Sequence, residues 1–151
     1  MGSVLADNPN STIQASRHRS APLNVFIVDD SAVLVDRFIE SFRDFPRLHI
    51  IGSAATEAEA LHLIKIQRVD ILVLDLQLRQ GTGFGVLRAL PMTKWPELVV
   101  VLTNHDIPEF HTAADRLGVA AFLDKASACG RLPEILLELA ESRHLIAAVE
   151  K

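Results

Sequence analysis

One cysteine, Cys129, is the whole thiol complement of this sequence, so neither an internal disulfide nor a thiolate metal site can form. That usage belongs to a reducing compartment, and a cytoplasmic protein is expected. An excess of basic charge is also missing. Fifteen Lys and Arg stand against 19 Asp and Glu, for a formal charge of −4, which gives no field for nucleic acid or an anionic membrane. No direct nucleic-acid contact is expected. No apolar run approaches the length of a membrane helix, and the N-terminus lacks the continuous apolar segment of a signal peptide. Ala6 stands where a myristoylation signal needs Ser or Thr. The expectation is a soluble chain without a membrane anchor.

What is present is apolar residue in quantity: 49% of 151 residues are hydrophobic, enough for one domain with a real core. Residues 1–22 are rich in Ser, Asn and Pro without periodicity and read as a flexible tail. The domain is expected over 23–148. Within it "NVFIV", "LHIIG", "DILVL", "ELVVVL" and "VAAFL" suit five buried parallel strands. Between them Leu34, Val35, Phe38, Ile39 and Phe42 follow helical spacing, as do Phe110, Ala113, Ala114 and Leu117, and finally Leu132, Ile135, Leu136 and Leu139. Thr56 and Glu59 form a capping box, Pro108 suits a first helical turn and Gly118 a helix end. The pattern is (βα)₅: an α/β domain with a doubly wound parallel sheet. In such sheets ligands bind beyond the carboxyl ends of the strands.

Polar groups stand at those ends: Asp29 and Asp30 after the first strand, Asp75 after the third, Thr103 after the fourth and Lys125 after the fifth. Singly, each has an ordinary explanation: Asp30 as a helix cap, Thr103 as a turn support, Lys125 as a solvated lysine. Jointly they predict three carboxylates, a hydroxyl and an ammonium in one cleft. Carboxylates that close repel, so a pKa rises or a cation binds. Oxygen ligands without His or Cys at metal spacing point to a hard ion such as Mg²⁺. An aspartate is a competent nucleophile toward a phosphoryl group, and metal, ammonium and hydroxyl supply the charge neutralisation that such a transfer needs.

"VFIVDD", "DILVLDLQLRQGTG", "VVVLTN" and "GVAAFLDK", in this order, resemble the receiver domain of two-component response regulators. The resemblance covers residues 23 to about 148 and implies a flavodoxin-like fold with sheet order 2-1-3-4-5. It implies that Asp75 accepts a phosphoryl group from a histidine kinase or a histidine phosphotransfer protein. Asp29 and Asp30 would hold Mg²⁺, with Asp75 and the backbone carbonyl of Gln77 as further ligands. Thr103 would reach a phosphoryl oxygen and Lys125 would pair with the phosphoaspartate. Phe122 matches the switch aromatic, which moves inward with Thr103 and reshapes the surface of the fourth helix, fifth strand and fifth helix.

The sequence departs from the family pattern in places. Ala126 follows Lys125 where proline is common, and a cis bond before alanine costs about 2.5–4 kcal/mol, so a trans peptide is expected. Arg79 replaces a frequent proline, which should loosen the loop leading to Gly81 and Gly83. Asn104 is bulkier than the usual residue, and Gln77 and His105 occupy positions that tune phosphoaspartate lifetime in the family. His62 lies on a predicted helix as a solvated position. After "LPEILLELAESRHLIAAVEK" no output domain is expected, so the leading reading is a stand-alone receiver, not an enzyme, that signals by protein contact or relays phosphate. The "LTN" and "FLDKAS" surroundings are similar to those of small single-domain receivers. Two alternatives stand beside it. One is a small Mg²⁺-dependent phosphohydrolase with an aspartyl nucleophile, for which Gln77 stands where a second aspartate is wanted. The other is a non-phosphorylated scaffold. A monomer or a phosphorylation-dependent dimer is expected, with an unspecified downstream protein target.

Overall fold

The computed structural model describes residues 21–105 and 107–149, so the expected tail falls almost wholly outside the described residues. Five strands, β1 (Leu23–Val28), β2 (Leu48–Ala54), β3 (Ile71–Leu74), β4 (Leu98–Thr103) and β5 (Ala121–Asp124), form one sheet in the order β2-β1-β3-β4-β5. Every pairing is parallel. Helices α1 (Ala32–Ser41), α2 (Glu57–Ile66), α3 (Gly83–Ala89) and α4 (Pro108–Arg116) connect successive strands. After β5 come a one-turn α5 (Lys125–Ala128) and the long α6 (Leu132–Val149). The expected flavodoxin-like architecture is therefore the observed one.

Successive residues of a strand face opposite sides, so a strand covered on both sides needs an unbroken apolar run. In β1, Val25 and Ile27 pack with Val35 and Phe38 of α1 and Leu132 and Leu136 of α6. Phe26 and Val28 pack on the other side with Ala60 and Ile64 of α2 and Val86 and Leu87 of α3. Truncating a side chain such as Phe38 to alanine would cost about 3–5 kcal/mol. Of the apolar stripe expected on the first helix, Val35, Phe38 and Phe42 turn inward, whereas Ile39 is 42% exposed. It lies one residue round from Phe38 and so points off the stripe.

Helix starts follow their capping residues. Ser31 Oγ accepts from the Leu34 amide at 3.3 Å and Thr56 Oγ1 from the Glu59 amide at 3.2 Å. Pro108 opens α4, and Gly118, at φ +82°, ends it. The expected fifth strand shifts by two residues at its start. The Val119 amide donates to Ala114 O, completing the helix end, before the chain joins β4 through Ala120 N–H and Val99 O. Thr103, expected just beyond its strand, is the last residue of β4, beside Asp124. No described helix is long and apolar enough to cross a membrane.

Candidate functional site

Because β1 and β3 are neighbours with Val28 opposite Leu74, the next residues, Asp29 and Asp75, emerge side by side. Backbone bonds hold them there: Asp29 N–H to Ala54 O at 3.0 Å and Asp75 N–H to Val28 O at 2.9 Å. Asp29 and Asp75 are buried and Asp30 is exposed, and each offers a carboxylate oxygen within 4.8 Å of the others. The sequence placed these three together and the fold does so.

Each buried carboxylate is held at both oxygens. Asp29 Oδ1 accepts from the Ser31 amide at 2.8 Å, and Asp75 Oδ1 from the Gln77 amide at 3.2 Å. The two Oδ2 atoms share Lys125, whose Nζ lies 2.7 Å from Asp29 and 2.9 Å from Asp75. The lysine reaches them from the start of α5. Asp124 fixes that turn by accepting from the Ser127 amide at 3.2 Å and its hydroxyl at 2.8 Å. No cis peptide occurs among the described residues, so the Lys125–Ala126 bond is trans, as the missing proline predicts. Asp30 does not cap α1; Ser31 does.

Burial pushes the Asp29 carboxyl above its ordinary value, against the pull of Lys125 and the Ser31 amide. Burial also disfavours the Lys125 ammonium, but the hydrogen bonds it donates to Asp29 and Asp75 outweigh this and hold the group above its ordinary value. We take the lysine as charged throughout the neutral range. One ammonium between two buried carboxylates, with Asp30 alongside, leaves the cluster short of positive charge.

The loop from Asp75 to α3 is fixed by a residue that the sequence did not single out. Glu57, the first residue of α2, donates its amide to Gln80 O at 3.0 Å and accepts the Thr82 amide on Oε2 at 3.0 Å. Thr82 Oγ1 then caps α3 through the Gly85 amide at 3.0 Å. A side chain at Gly81 or Gly85 would collide with Glu57, and one at Gly83 with the Asp75 carbonyl. Gly81 also sits at φ +80°, where glycine carries no steric penalty. Glu57 thus ties the loop on both sides of Gly81, just after Arg79. The alternate glycines of "GTGFG" were the signal for something pressing on this loop.

The cleft over the carboxylates is open, about 790 Å³, and runs from Asp75, Gln77 and Lys125 past Asn104 and His105 to the α1 wall at Val33, Leu34 and Phe38. Thr103 is wholly buried and does not line it; its hydroxyl accepts from the His105 amide at 3.3 Å. Phe122 is half-buried on β5, its ring centroid 3.8 Å from that of His111 on α4 with the planes tilted by 32°. His111 stands at no ligand spacing in the sequence, so no motif points to it. A ring stack between helix and strand leaves no mark in periodicity. His62 is exposed on α2, as expected.

Comparison with known proteins identifies the architecture around this cluster. The family described as the response regulator receiver domain matches residues 25–137. The transcriptional regulatory protein DpiA of Escherichia coli is 29% identical over 131 residues, covering 87% of this chain and 58% of DpiA. The DNA-binding transcriptional activator DevR/DosR of Mycobacterium tuberculosis is 30% identical over 104 residues, covering 68% of this chain and 48% of that protein. The signal receiver domain of the Mycobacterium tuberculosis regulator NarL superposes with a TM-score of 0.71 at 26% identity, over 80% of this chain and 98% of that domain. The chain thus spans about half the length of the curated relatives it matches. With the family match over most of its length, the 2-1-3-4-5 sheet and the acidic cluster at the strand ends, it belongs to the response regulator receiver domain family.

Proposed function

We propose that Asp75 accepts a phosphoryl group from a phosphohistidine on a histidine kinase or a phosphotransfer protein. The observation that carries this is the pinning of Asp75: Oδ1 on its own turn, Oδ2 on Lys125, at the floor of an open cleft. A carboxylate oxygen of Asp75 attacks phosphorus, the P–N bond breaks, and the imidazole leaves with the electron pair and takes a proton from solvent. Lys125, already at hydrogen-bond distance, follows the negative charge onto the phosphoryl oxygens. Asp29, Asp30 and Asp75 fit a hard divalent cation by their all-oxygen donor set and spacing, with the Gln77 carbonyl as a further ligand. Mg²⁺ held there supplies neutralisation of the charge on the transferred group.

Thr103 is the hydroxyl one strand away that turns to the new phosphoryl group, and Phe122 is the aromatic that follows it. The altered surface of α4, β5 and α6 is read by a downstream protein. Signal carriage rather than turnover is favoured by Gln77, an amide where a hydrolase of this nucleophile type needs a second acid. The test is incubation with Mg²⁺ and a small phosphodonor, followed by mass spectrometry. One phosphoryl adduct is expected on the wild type and none on Asp75→Asn, with Mg²⁺ affinity strongly reduced in Asp30→Ala. Equal labelling of Asp75→Asn would sink the assignment, and multiple turnovers of a phosphate ester would establish the hydrolase instead.

A further inference from the structure

At the opposite end of the sheet from the carboxylate cluster, where α3 and α4 finish, lies a second open groove of about 710 Å³. Its apolar surface comes from Leu90, Trp95 and Leu117, with Met92 beside them 85% exposed. Three arginines line it: Arg88, Arg116 and Arg143. Among the described residues no carboxylate lines it, although acids outnumber bases in the whole chain, 19 to 15. None of the three arginines forms an ion pair with a described residue; Arg88 lies 5.7 Å from the Phe84 ring centre. Exposed Lys94, in the turn between α3 and β4, adds a further positive charge nearby.

Placement at helix ends accounts for part of this. Arg88 and Arg116 stand in the last turns of α3 and α4, where a cation complements the helix dipole. It does not account for Arg143, which comes from α6, a helix packed on the other face of the sheet. Arg143 also lines a small neighbouring hollow with Glu97 and Asp70, so acids are present on its far side but not in the groove. Residues from both sides of the sheet thus converge on one apolar concavity whose charged lining, among the described residues, is all cationic.

We infer that this groove docks an acidic peptide segment of a partner protein, with an apolar side chain seated against Trp95, Leu90 and Leu117 and carboxylates meeting Arg88, Arg116 and Arg143. The chain's own residues 1–20 do not fit: they carry one acid, Asp7, against Arg17 and Arg19. Nucleic acid is disfavoured by the net charge of −4 and by a floor offering one tryptophan. The groove lies away from the phosphoacceptor cleft, so both sites are open to partners at once, and the inference does not depend on phosphorylation.

Trp95 is the single tryptophan in a chain without tyrosine, so intrinsic emission reports this groove directly. The probe is a synthetic peptide of glutamates around leucine and phenylalanine anchors, titrated against the full chain at low salt. A saturable change in Trp95 emission is expected. It should weaken about tenfold or more in the Arg116→Glu, Arg143→Glu double variant, and again as salt is raised. These are exposed positions, and circular dichroism verifies that the double variant is folded; if it is not, Arg143→Gln alone is used, with a smaller loss expected. The inference is overturned if emission is unchanged at millimolar peptide, if a peptide with lysines replacing the glutamates binds equally well, if the variants bind as the wild type does, or if a short single-stranded oligonucleotide binds more tightly than the peptide.

Discussion

Replacing Lys125 by methionine preserves most of the side-chain length and removes the charge that Asp29 and Asp75 share. In the folded protein the three side chains are 11%, 3% and 8% exposed, so this is a buried ionic network rather than a surface pair. Removing one partner from a buried pair leaves charge without compensation, at about 3–5 kcal/mol, and the open cleft argues for the low end. About 3 kcal/mol in a domain of this size corresponds to a fall in Tm of about 10 °C. Lys125 also occupies the oxygens that a divalent cation would use, so Lys125→Met should bind Mg²⁺ more tightly, and Mg²⁺ should raise its Tm more than it raises that of the wild type. The pH dependence has a definite sign. The folded Lys125 value lies above the ordinary 10.5, so the lysine's own titration leaves its contribution fully present below that and removes it as pH rises through the folded value. The deficit of the variant is therefore level through the neutral range. It narrows in acid, because Asp29, raised by burial, takes up a proton in the folded state and no longer needs the lysine. Thermal melts and calorimetric titration with Mg²⁺ measure both effects. A variant that melts like wild type without metal, or binds Mg²⁺ no more tightly, would refute the competition between ammonium and cation.

Gly83→Ala sets a methyl group against the Asp75 carbonyl and, at 3.0 Å, the Leu76 Cα. Backbone must move, so urea denaturation should show about 1–3 kcal/mol lost together with slower formation of the phosphoryl adduct, and no change in either would mean that the contact is relieved at no cost. Glu57→Ala removes the acceptor of the Thr82 amide; stability should fall by about 1 kcal/mol and hydrogen exchange at that amide should quicken, whereas unchanged exchange would show that Glu57 does not hold the loop.

The parts of this molecule that the sequence disclosed are those written in local pattern. Five apolar runs alternate with amphipathic stretches because each strand is covered on two faces and each helix on one, and Asp29, Asp30 and Asp75 follow their strands directly. Parallel pairing then brings the strand ends to one edge, so proximity of the carboxylates follows without any knowledge of side-chain angles. Lys125 was harder to place, because its role depends on Asp124 fixing the turn before α5, and the missing proline removed the usual marker. Glu57 and His111 escaped notice for a different reason. Their partners, Thr82 and Phe122, are 25 and 11 positions away, on other elements, and neither periodicity nor composition records which helix residue meets which loop. The register of β5 failed similarly: Val119 has strand character by type, yet its amide is needed to close α4.

The His111–Phe122 stack bears on how the proposed switch is balanced. In the proposed switch, inward movement of Phe122 would draw its ring away from that of His111, now 3.8 Å off. Such aromatic pairs contribute about 0.5–1.5 kcal/mol beyond the area they bury, which is about a two- to tenfold bias in an equilibrium between two arrangements. In the present structure Thr103 is turned to the His105 amide and the stack is formed, so the bias favours the arrangement in which Thr103 does not line the cleft. In the proposed switch, phosphorylation would overcome the stack through a contact of Thr103 with a phosphoryl oxygen. His111→Ala should then raise the inward fraction of Phe122 in the unphosphorylated protein by about two- to tenfold, as read by fluorine resonance from a fluorinated Phe122. The labelling rate at Asp75 should rise in the same direction, since a protein already arranged for the phosphoryl group spends less on rearranging. Thr103→Ala in the same background should abolish the response of Phe122 to phosphorylation while leaving the raised basal fraction in place, which separates the hydroxyl's pull from the histidine's hold. An inward fraction unaltered by His111→Ala would show that the stack does not set the balance and that Thr103 alone does.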